Sequence, residues 1–292
     1  MSRKIPTTKT ADERCAEAET LQASIAEQVE QLRDSEAWTN YLNFARSFHH
    51  YSLGNLLLIL AQLPEASHVA GYRAWQHHGR QVRKGEKGLR IFAGRNIRWT
   101  EEDQTTGEET ERNTVRFFPV SVFDISQTDL TDPTAEDHST IAHRLIGDDP
   151  AGITAAVTDY LTSQGWTVTR HKIPGTTNGY TTTNGERRVA ICSTLSPAHA
   201  AKTALHEAAH VILHSTEDHT EYVEHRGIKE TEAESVAYIV AGILGLDTSD
   251  YSIGYVAGWS EGKTELIKQT AARVLAAAHT LTEALTDTPP AT

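Results

Sequence analysis

The sequence has few cysteines and no long apolar run, and each shortage excludes a class of protein. Two cysteines, Cys15 and Cys192, occur in 292 residues, too far apart to suggest a disulfide framework or a cysteine metal cluster. The longest aliphatic run, residues 56–61, is far shorter than the roughly 20 residues that span a bilayer, and no apolar segment follows the basic residues at the start. These absences predict a soluble cytoplasmic protein with neither a signal peptide nor a membrane partner.

The net charge is strongly negative but unevenly distributed. A formal charge of −12 argues by itself against nucleic acid as a partner, because polyanions repel one another. Residues 1–128, however, hold 16 Lys and Arg against 17 Asp and Glu, so nearly all of the excess acid lies in the second half. Within residues 71–98 the single acid Glu86 is outnumbered by eight basic residues: Arg73, Arg80, Arg83, Lys84, Lys87, Arg90, Arg95 and Arg98. Residues 71–98 are therefore a basic patch.

Aromatic residues interleave with this basic patch: Tyr72, Trp75, Phe92 and Trp99. Flat rings stack on unpaired bases while Arg and Lys neutralise phosphates, so the combination indicates single-strand nucleic-acid binding. A solvated β-hairpin with core aromatics is the structural alternative, and the charge pattern alone does not decide between the two.

Hydrophobic periodicity and turn residues predict an α+β fold in two domains. In the first, helices are expected at 11–32, 35–48 and 53–63, the last capped by Ser52 and ended by Pro64. Two short strands are expected around the KGEKG turn at 84–88, and a third at 115–125 with Pro119 at an edge or bulge. Residues 129–148, rich in Thr, Ser, Asp and Pro, predict a linker between domains of residues 1–128 and 149–292.

In the second domain a helix is expected at 152–164, followed by strands at 166–170 and 187–192 around a turn-rich NGYTTTNG hairpin. Helices follow at about 196–215, 229–244 and 263–285. This part of the chain carries the strongest chemical signal in the sequence.

That signal is HEAAH at 206–210, on a helix that Ser196 and Pro197 are expected to begin. Positions i and i+4 project from one helix face, so His206 and His210 can bind one Zn²⁺ while Glu207 lies beside an open coordination position. The pentapeptide alone has a substantial false-positive rate, and the alternative is a surface helix with two hydrogen-bonded histidines. Aliphatic flanks argue against that alternative because they predict a buried helix.

A second helix downstream supplies acids that can complete a metal site. Glu230 and Glu234 lie one turn apart on one face, so one can bind the metal while the other orients a histidine. The residues themselves leave the choice between these two glutamates open.

The order of strand, HExxH helix and glutamate helix resembles ImmA/IrrE-type zinc metallopeptidases, whose second helix follows the form ExEA(N/D)xxA. Here ETEAESVA has Glu234 where that family has Asn or Asp. The resemblance implies Glu230 as third zinc ligand, with Glu234 as orienting residue or alternative ligand. It also implies a zincin-like domain in which Glu207 is the general base for hydrolysis of a peptide bond in an unidentified protein substrate.

The oxyanion of such a reaction needs a cation or a phenol, and several residues near the motif qualify. Candidates for this role are Tyr238, His214, His219 and His225. His214 continues the ligand face by one more turn, but a fourth close ligand would close the site, so a core position is favoured for it.

The first half resembles the N-terminal domain of ArdC-type antirestriction proteins over about residues 37–125. The matching features are YSxxN at the start of the buried helix, the Q-x-P-x-A stop, VAGYRAW and GRQVRKGEKG, with GYVAGW at 254–259 further along. The resemblance implies a single-stranded DNA-binding domain, with double-stranded DNA as an alternative partner. It implies DNA contacts by Arg80, Arg83, Lys84, Lys87 and Arg90 and stacking by Tyr72 and Trp75.

The sequence therefore predicts a DNA-binding module with a zinc metallopeptidase domain, from a plasmid or phage, that counters host restriction. Two alternatives stay open. One is a non-catalytic DNA protector whose zincin domain is structural, and the other is a regulatory metalloprotease that cleaves a repressor.

Overall fold

The computed structural model describes residues 10–102, 109–131, 150–182, 185–215, 226–246 and 263–286. Contacts between Cα atoms divide the chain into two compact units. The first unit comprises Met1–Gln28 and Leu57–Thr140, and the second comprises Val29–Leu56 and Ile141–Thr292. No described helix combines the length and apolar character that crossing a membrane requires.

Helices and strands alternate irregularly, as expected for the α+β class. The helices are α1 (Ala11–Gln31), α2 (Ser35–Phe48), α3 (Leu53–Gln62), α4 (Tyr72–His77), α5 (Pro150–Ser163), α6 (Pro197–His214), α7 (Arg226–Ile243) and α8 (Thr264–Leu285). The strands are β1 (Val69–Ala70), β2 (Arg80–Val82), β3 (Leu89–Glu102), β4 (Glu109–Asp124), β5 (Thr128–Leu130), β6 (Thr167–His171), β7 (Gly179–Thr181) and β8 (Arg188–Cys192). A 3₁₀ turn (Ile125–Gln127) links β4 to β5.

The long antiparallel hairpin of β3 and β4 dominates the first unit. Its ladder runs from Leu89↔Val122 out to Glu102↔Glu109, so the polar residues 100–102 and 109–113 belong to the two strands. The strands on either side of the KGEKG turn do not pair with each other: β2 pairs with β5, and β3 pairs with β4. The prediction that both strands are short is wrong for β3, because all 14 of its residues pair with the 16-residue strand β4.

A buried carboxylate fastens the base of this hairpin. Asp124 is 1% exposed, and its side chain accepts hydrogen bonds from the backbone N–H groups of Ser67, His68 and Ser126. It also caps the 3₁₀ turn. A carboxylate that accepts several N–H donors is a strong local constraint, so Asp124 holds three chain segments together.

The second unit packs helices around a three-stranded sheet of order β6-β8-β7, in which β6 is parallel and β7 antiparallel to β8. Helix α2 belongs to this unit although the sequence places it in the first domain. Its Trp38 indole donates to Ser235 Oγ at 3.2 Å, and its Tyr41 hydroxyl donates to the Ala271 carbonyl at 2.7 Å. The division of the chain thus differs from the predicted boundaries, because α2 buries its aromatic face against α7 and α8 and because β5 keeps Thr128–Leu130 in the first unit.

Candidate metal centre

Helix α6 carries the HEAAH segment and begins as predicted. The hydroxyl of Ser196 accepts a hydrogen bond from the His199 N–H, and Pro197 occupies the first turn, where its missing N–H costs nothing. The helix is anchored by fully buried small and aliphatic residues around the motif: Ala204, Leu205, Ala208 and Ala209. This packing fixes the face from which the two histidines project.

The Nε2 atoms of His206 and His210 lie 3.0 Å apart. Helix α7 brings Glu230 to them, with its Oε2 3.5 Å from His206 Nε2 and 3.7 Å from His210 Nε2. Ligand atoms of a tetrahedral zinc ion bound at about 2.0–2.1 Å lie about 3.3 Å apart, so this triangle has the size of a metal site. Among the described residues, these three side chains form the group whose ligand atoms converge within 4.8 Å and could hold a divalent ion.

Glu234 lies on the other side of the same imidazole. Its Oε2 is 3.1 Å from His206 Nδ1, and its Oε1 is 3.4 Å from the Lys202 ammonium. A carboxylate on the second nitrogen of a metal-binding histidine fixes the ring orientation and tautomer. The two glutamates left open by the sequence therefore occupy different positions: Glu230 faces Nε2 of both histidines, and Glu234 faces Nδ1 of one.

The charges of these groups are tightly linked. Burial disfavours a charged imidazole, but the carboxylates of Glu230 and Glu234 outweigh it and raise the pKa of His206 to about 10. Hydrogen bonds from His206 and His210 hold the pKa of Glu230 well below its usual value. Burial tends to raise the pKa of Glu234, but the bond from His206 and the charge of Lys202 lower it overall. Both glutamates are thus ionised at neutral pH.

Glu207 lies beside this group and is 5% exposed. Its Oε2 accepts a hydrogen bond from the Thr181 hydroxyl at 2.7 Å. Burial raises the pKa of Glu207 above its usual value, against the opposing effects of His206 and His210. A carboxyl group tuned upward in this way is suited to accept a proton near neutral pH.

Strand β7 packs closely against α6 beside Glu207. A Cβ added at Gly179 would lie 2.6 Å from Thr203 Cγ2 and 3.0 Å from Glu207 Oε1, so a larger residue there would displace the strand. Gly179 and Thr181 were missed as site residues by sequence reasoning, which used the NGYTTTNG segment only as a turn signal. Their position directly before the strand that leads into α6 is the signal that could have identified them.

A cavity of about 280 Å³ opens over these side chains. It is lined by the two motif histidines, Glu207 and Glu230 on one side and by β7 residues that include Tyr180 and Thr181 on the other. Tyr180 is 37% exposed, and its phenol supplies a donor that is not among the residues predicted from the sequence. The cavity therefore combines an acid–base group, a candidate ion site and a phenol.

Two of the four predicted oxyanion candidates, Tyr238 and His214, lie among the described residues. The Tyr238 hydroxyl donates to Asn43 Oδ1 at 2.8 Å, and Tyr238 is not among the cavity-lining residues. His214 lines the cavity but is 2% exposed, with Nε2 3.5 Å from Glu232 Oε2, as expected for a core position. His219 and His225 lie outside the described residues.

Two residues predicted to contact DNA, Trp75 and Arg80, are buried and form hydrogen bonds within the first unit. Trp75 is completely buried, and its indole donates to the Phe123 carbonyl, so it offers no face to a base and its predicted stacking role is wrong. Arg80 is 9% exposed and donates to the Thr128 hydroxyl, which corrects its assignment as a backbone contact. Its cation fastens β2 to β5 instead.

The remaining predicted DNA residues are more accessible. Arg90 pairs with Glu17 at 2.6 Å, and Arg83 pairs with Glu86 at 2.9 Å. Three further residues of this group are exposed to solvent: Tyr72, Lys84 and Lys87. Tyr72 and Lys84 line an open cavity of about 660 Å³ together with Arg83.

Comparison with known proteins identifies a family domain in each half of the chain. Residues 16–123 match the N-terminal domain of anti-restriction factor ArdC, and residues 162–252 match the IrrE N-terminal-like domain of peptidase family M78. An uncharacterized Bacillus anthracis protein, pXO2-81, is 25% identical over 258 residues, which cover 77% of this chain and 43% of the relative. This chain thus spans less than half the length of that relative.

Two crystal structures of the antirestriction protein ArdC from the R388 plasmid are also similar. The metal-free form is 23% identical with a TM-score of 0.48, covering 80% of this chain and 84% of that one. The Mn(II)-bound form is 21% identical with a TM-score of 0.45, covering 81% and 85%. On the two family matches, the chain has the ArdC-type two-domain architecture: an ArdC N-terminal domain followed by an IrrE-like M78 peptidase domain.

Proposed function

We propose that this protein is an antirestriction factor in which a metal-dependent peptidase domain is joined to a domain that binds single-stranded DNA. The observation that carries the peptidase assignment is the convergence of His206, His210 and Glu230 on one point, next to a buried Glu207. Two imidazoles, a carboxylate and a neighbouring acid–base group are the components of a metal-assisted hydrolytic site. The cytoplasmic location predicted from the sequence stays a prediction.

Zinc is the ion that these donors fit best. Two nitrogen ligands and one oxygen ligand are typical of catalytic zinc sites, which keep a further position open. Carboxylate and water donors without imidazole would favour magnesium or manganese. Because ArdC from the R388 plasmid has a Mn(II)-bound structure, manganese is the competing ion that an experiment on this chain must include.

The bound ion would supply Lewis acidity, polarising a substrate carbonyl and acidifying water. The chain's own residues do the rest. Glu234 holds the His206 ring through Nδ1, so that Nε2 faces Glu230. Thr181 holds Glu207 Oε2, which leaves Oε1, next to Gly179, to take the proton from water and to return it to the leaving amine. The Tyr180 phenol is our candidate donor to the carbonyl oxygen.

Binding of single-stranded DNA is proposed for the first unit on the strength of its family domain and of its exposed cations and rings. Lys84 and Lys87 supply charge that can neutralise phosphates, and Tyr72 is 45% exposed. Affinity should fall steeply with salt because each phosphate contact releases counterions. Double-stranded DNA serves as the comparison ligand.

Substitution of the acid–base group tests the proposed hydrolysis. We expect full-length protein with zinc restored to cleave fluorescently labelled denatured casein, and Glu207→Gln to keep the metal and lose cleavage. Glu265→Gln, at an exposed position on α8, is the matched control and should behave as the unmodified chain. Loss of metal from Glu207→Gln would contradict the role assigned to this residue.

The same variant separates the alternatives in cells. Transfer of unmodified DNA into a restricting host should lose protection with Glu207→Gln if hydrolysis is needed. Full protection by Glu207→Gln would favour a non-catalytic DNA protector. A repressor that is cleaved only when Glu207 is intact would favour a regulatory protease.

A further inference from the structure

The outer part of the β3–β4 hairpin places two positive charges against each other. Arg95 and Arg116 are directly paired across the ladder, and both residues are exposed. Like charges in directly opposed strand positions destabilise a sheet. The pairing is therefore a local cost in the free protein that a bound anion would relieve.

An aromatic ring lies on the same face as this arginine pair. Side chains alternate along a strand, so Phe118, two residues from Arg116, shares its face and lies about 6.6 Å along the strand. Phe118 is 40% exposed. Nearer the base, the same face carries Leu89 and Ile91, which are buried in the core of the first unit. This face of the hairpin is therefore buried near the base and exposed to solvent farther out.

Acidic residues are distant along the hairpin from the arginine pair, and Glu17 of α1 pairs with Arg90, which lies on the opposite face of the ladder. Within residues 89–97 and 114–124 the acid is Asp124, which is buried and bonded to backbone N–H groups. The ladder puts Glu101 and Glu111 six and five residues farther out, or about 16–20 Å. Both backbone positions are farther from the arginine pair than the Debye length of about 8–10 Å at physiological salt.

We propose that Arg95, Arg116 and Phe118 form a contact for single-stranded nucleic acid, in which the arginines bind a phosphate and the phenyl ring stacks on an adjacent base. This inference rests on the proposed DNA-binding function and assigns it to a surface outside the predicted residues. A phosphodiester chain presents an anion and a flat base next to each other, which matches the two arginines beside one ring. An acidic peptide would satisfy the arginines and leave the ring unused.

The opposite face of the hairpin supplies a matched control. Phe117 is 69% exposed, more than Phe118, but lies with Gly94 and Val115 on the face that carries neither arginine of the pair. The two phenylalanines are neighbours on one strand and have the same chemistry. They differ in whether the arginine pair lies beside them: Arg116 is two residues from Phe118 on its own face, whereas Arg90, on the face of Phe117, is four residues from Gly94, which pairs with Phe117.

The experiment is fluorescence anisotropy of labelled oligothymidylate with the full-length protein over a range of salt concentrations. Phe118→Ser should weaken binding about 5- to 160-fold, the effect expected from one lost stacking contact. The double variant Arg95→Gln/Arg116→Gln should weaken binding and lower the slope of log affinity against log salt by about 0.7, the contribution of the one single-strand phosphate that the pair binds. Phe117→Ser should bind as the unmodified chain does.

The double arginine variant should have an unchanged or higher Tm, because it removes a repulsive pair, so loss of affinity there does not reflect unfolding. If Phe118→Ser fails to fold, Phe118→Leu keeps the apolar packing without an aromatic ring and should show the same loss. An unchanged salt slope, or equal losses from Phe117→Ser and Phe118→Ser, would overturn the assignment of this face. Competition by polyglutamate as effective as by unlabelled oligothymidylate would assign the arginines to an acidic protein and also overturn it.

The inference and the function on which it rests fail in different ways. If the unmodified chain does not bind oligothymidylate, the proposed DNA-binding function fails, and this inference fails with it. If the unmodified chain binds and all the variants bind equally well, DNA binding stands and only the assigned surface is wrong.

Discussion

The carboxylate of Glu234 lies 3.1 Å from Nδ1 of His206, while Nε2 of the same ring faces Glu230 at 3.5 Å. One imidazole thus lies between two carboxylates, to which we assign different roles: Glu230 as a metal ligand and Glu234 as the residue that orients the ring. Glu230 Oε2 also lies 3.7 Å from His210 Nε2. Among the described ion pairs, Glu234 has no such contact with His210. The two acids, one helical turn apart, should therefore respond differently to substitution.

Metal affinity should distinguish the two glutamates. Glu234→Ala removes a group that orients a ligand, so we expect about a 10- to 100-fold loss of zinc affinity. Glu230→Ala removes a proposed ligand and should cost more than that. Competition titration with a chromophoric chelator measures both. A larger loss in Glu234→Ala than in Glu230→Ala would reverse the assignment.

Metal uptake should release a proton from His206. The surrounding carboxylates raise its pKa to about 10, so protein stripped of metal by a chelator carries a proton on this ring at neutral pH. Ligands must be deprotonated to bind, and apparent affinity should therefore rise by up to about tenfold per pH unit below that pKa. Calorimetric titration in buffers of different ionisation enthalpy measures the release. A binding enthalpy independent of the buffer would contradict this prediction.

The hydrogen bond from Thr181 should govern the working pH of Glu207. This bond favours the ionised carboxylate and lowers its pKa, so Thr181→Val should raise that pKa and move the acid limb of the kcat/KM profile to higher pH. Turnover should fall about tenfold, the size expected for a lost bond to a charged group. Thr181→Ser keeps the hydroxyl and should keep the profile. Equal profiles for the Val and Ser variants would show that the bond does not matter.

Stability of the first unit should depend on the ionised form of Asp124. Burial alone would raise the pKa of Asp124, but donors from Ser126, Ser67 and His68 hold it below its usual value. A lowered folded-state pKa contributes stability above the unfolded pKa of about 3.9, and this contribution is lost as pH falls through the folded pKa. Asp124→Ala should cost about 1–3 kcal/mol at neutral pH, and the difference should shrink in acid.

Denaturant unfolding of the full chain at several pH values measures this dependence. Asp129→Asn, at a position whose side chain is 67% exposed, is the control and should change stability little at any pH. A difference for Asp124→Ala that stays constant from neutral to acid pH would show that ionisation of Asp124 is not the stabilising factor.

The sequence predicted the local parts of this structure better than the long-range ones. Helix α6 follows from local signals, because the Ser196 cap and the i, i+4 spacing of His206 and His210 operate within one element. The different positions of Glu230 and Glu234 depend on how α7 packs on α6. A shift of α7 along its axis by one helical turn would exchange them. Spacing within α7 contains no information about that packing.

Charge patterning was the least informative part of the sequence. Eight cations in residues 71–98 predicted a basic patch and left open whether its aromatics are exposed or in the core, and the structure buries both Arg80, against Thr128, and Trp75. Burial depends on partners far along the chain, such as Phe123 and Thr128, which a local count of charges does not see. The exposed ring of Phe118 was missed for the same reason, since it lies outside the basic patch.

The most direct test of the central claim is the metal content of the purified full-length protein after reconstitution with zinc and removal of excess ion. Elemental analysis should give one ion per chain for the unmodified protein and for Glu207→Gln, and essentially none for the double variant His206→Ala/His210→Ala. Full occupancy in the double variant would show that the ion is held elsewhere and would contradict the account.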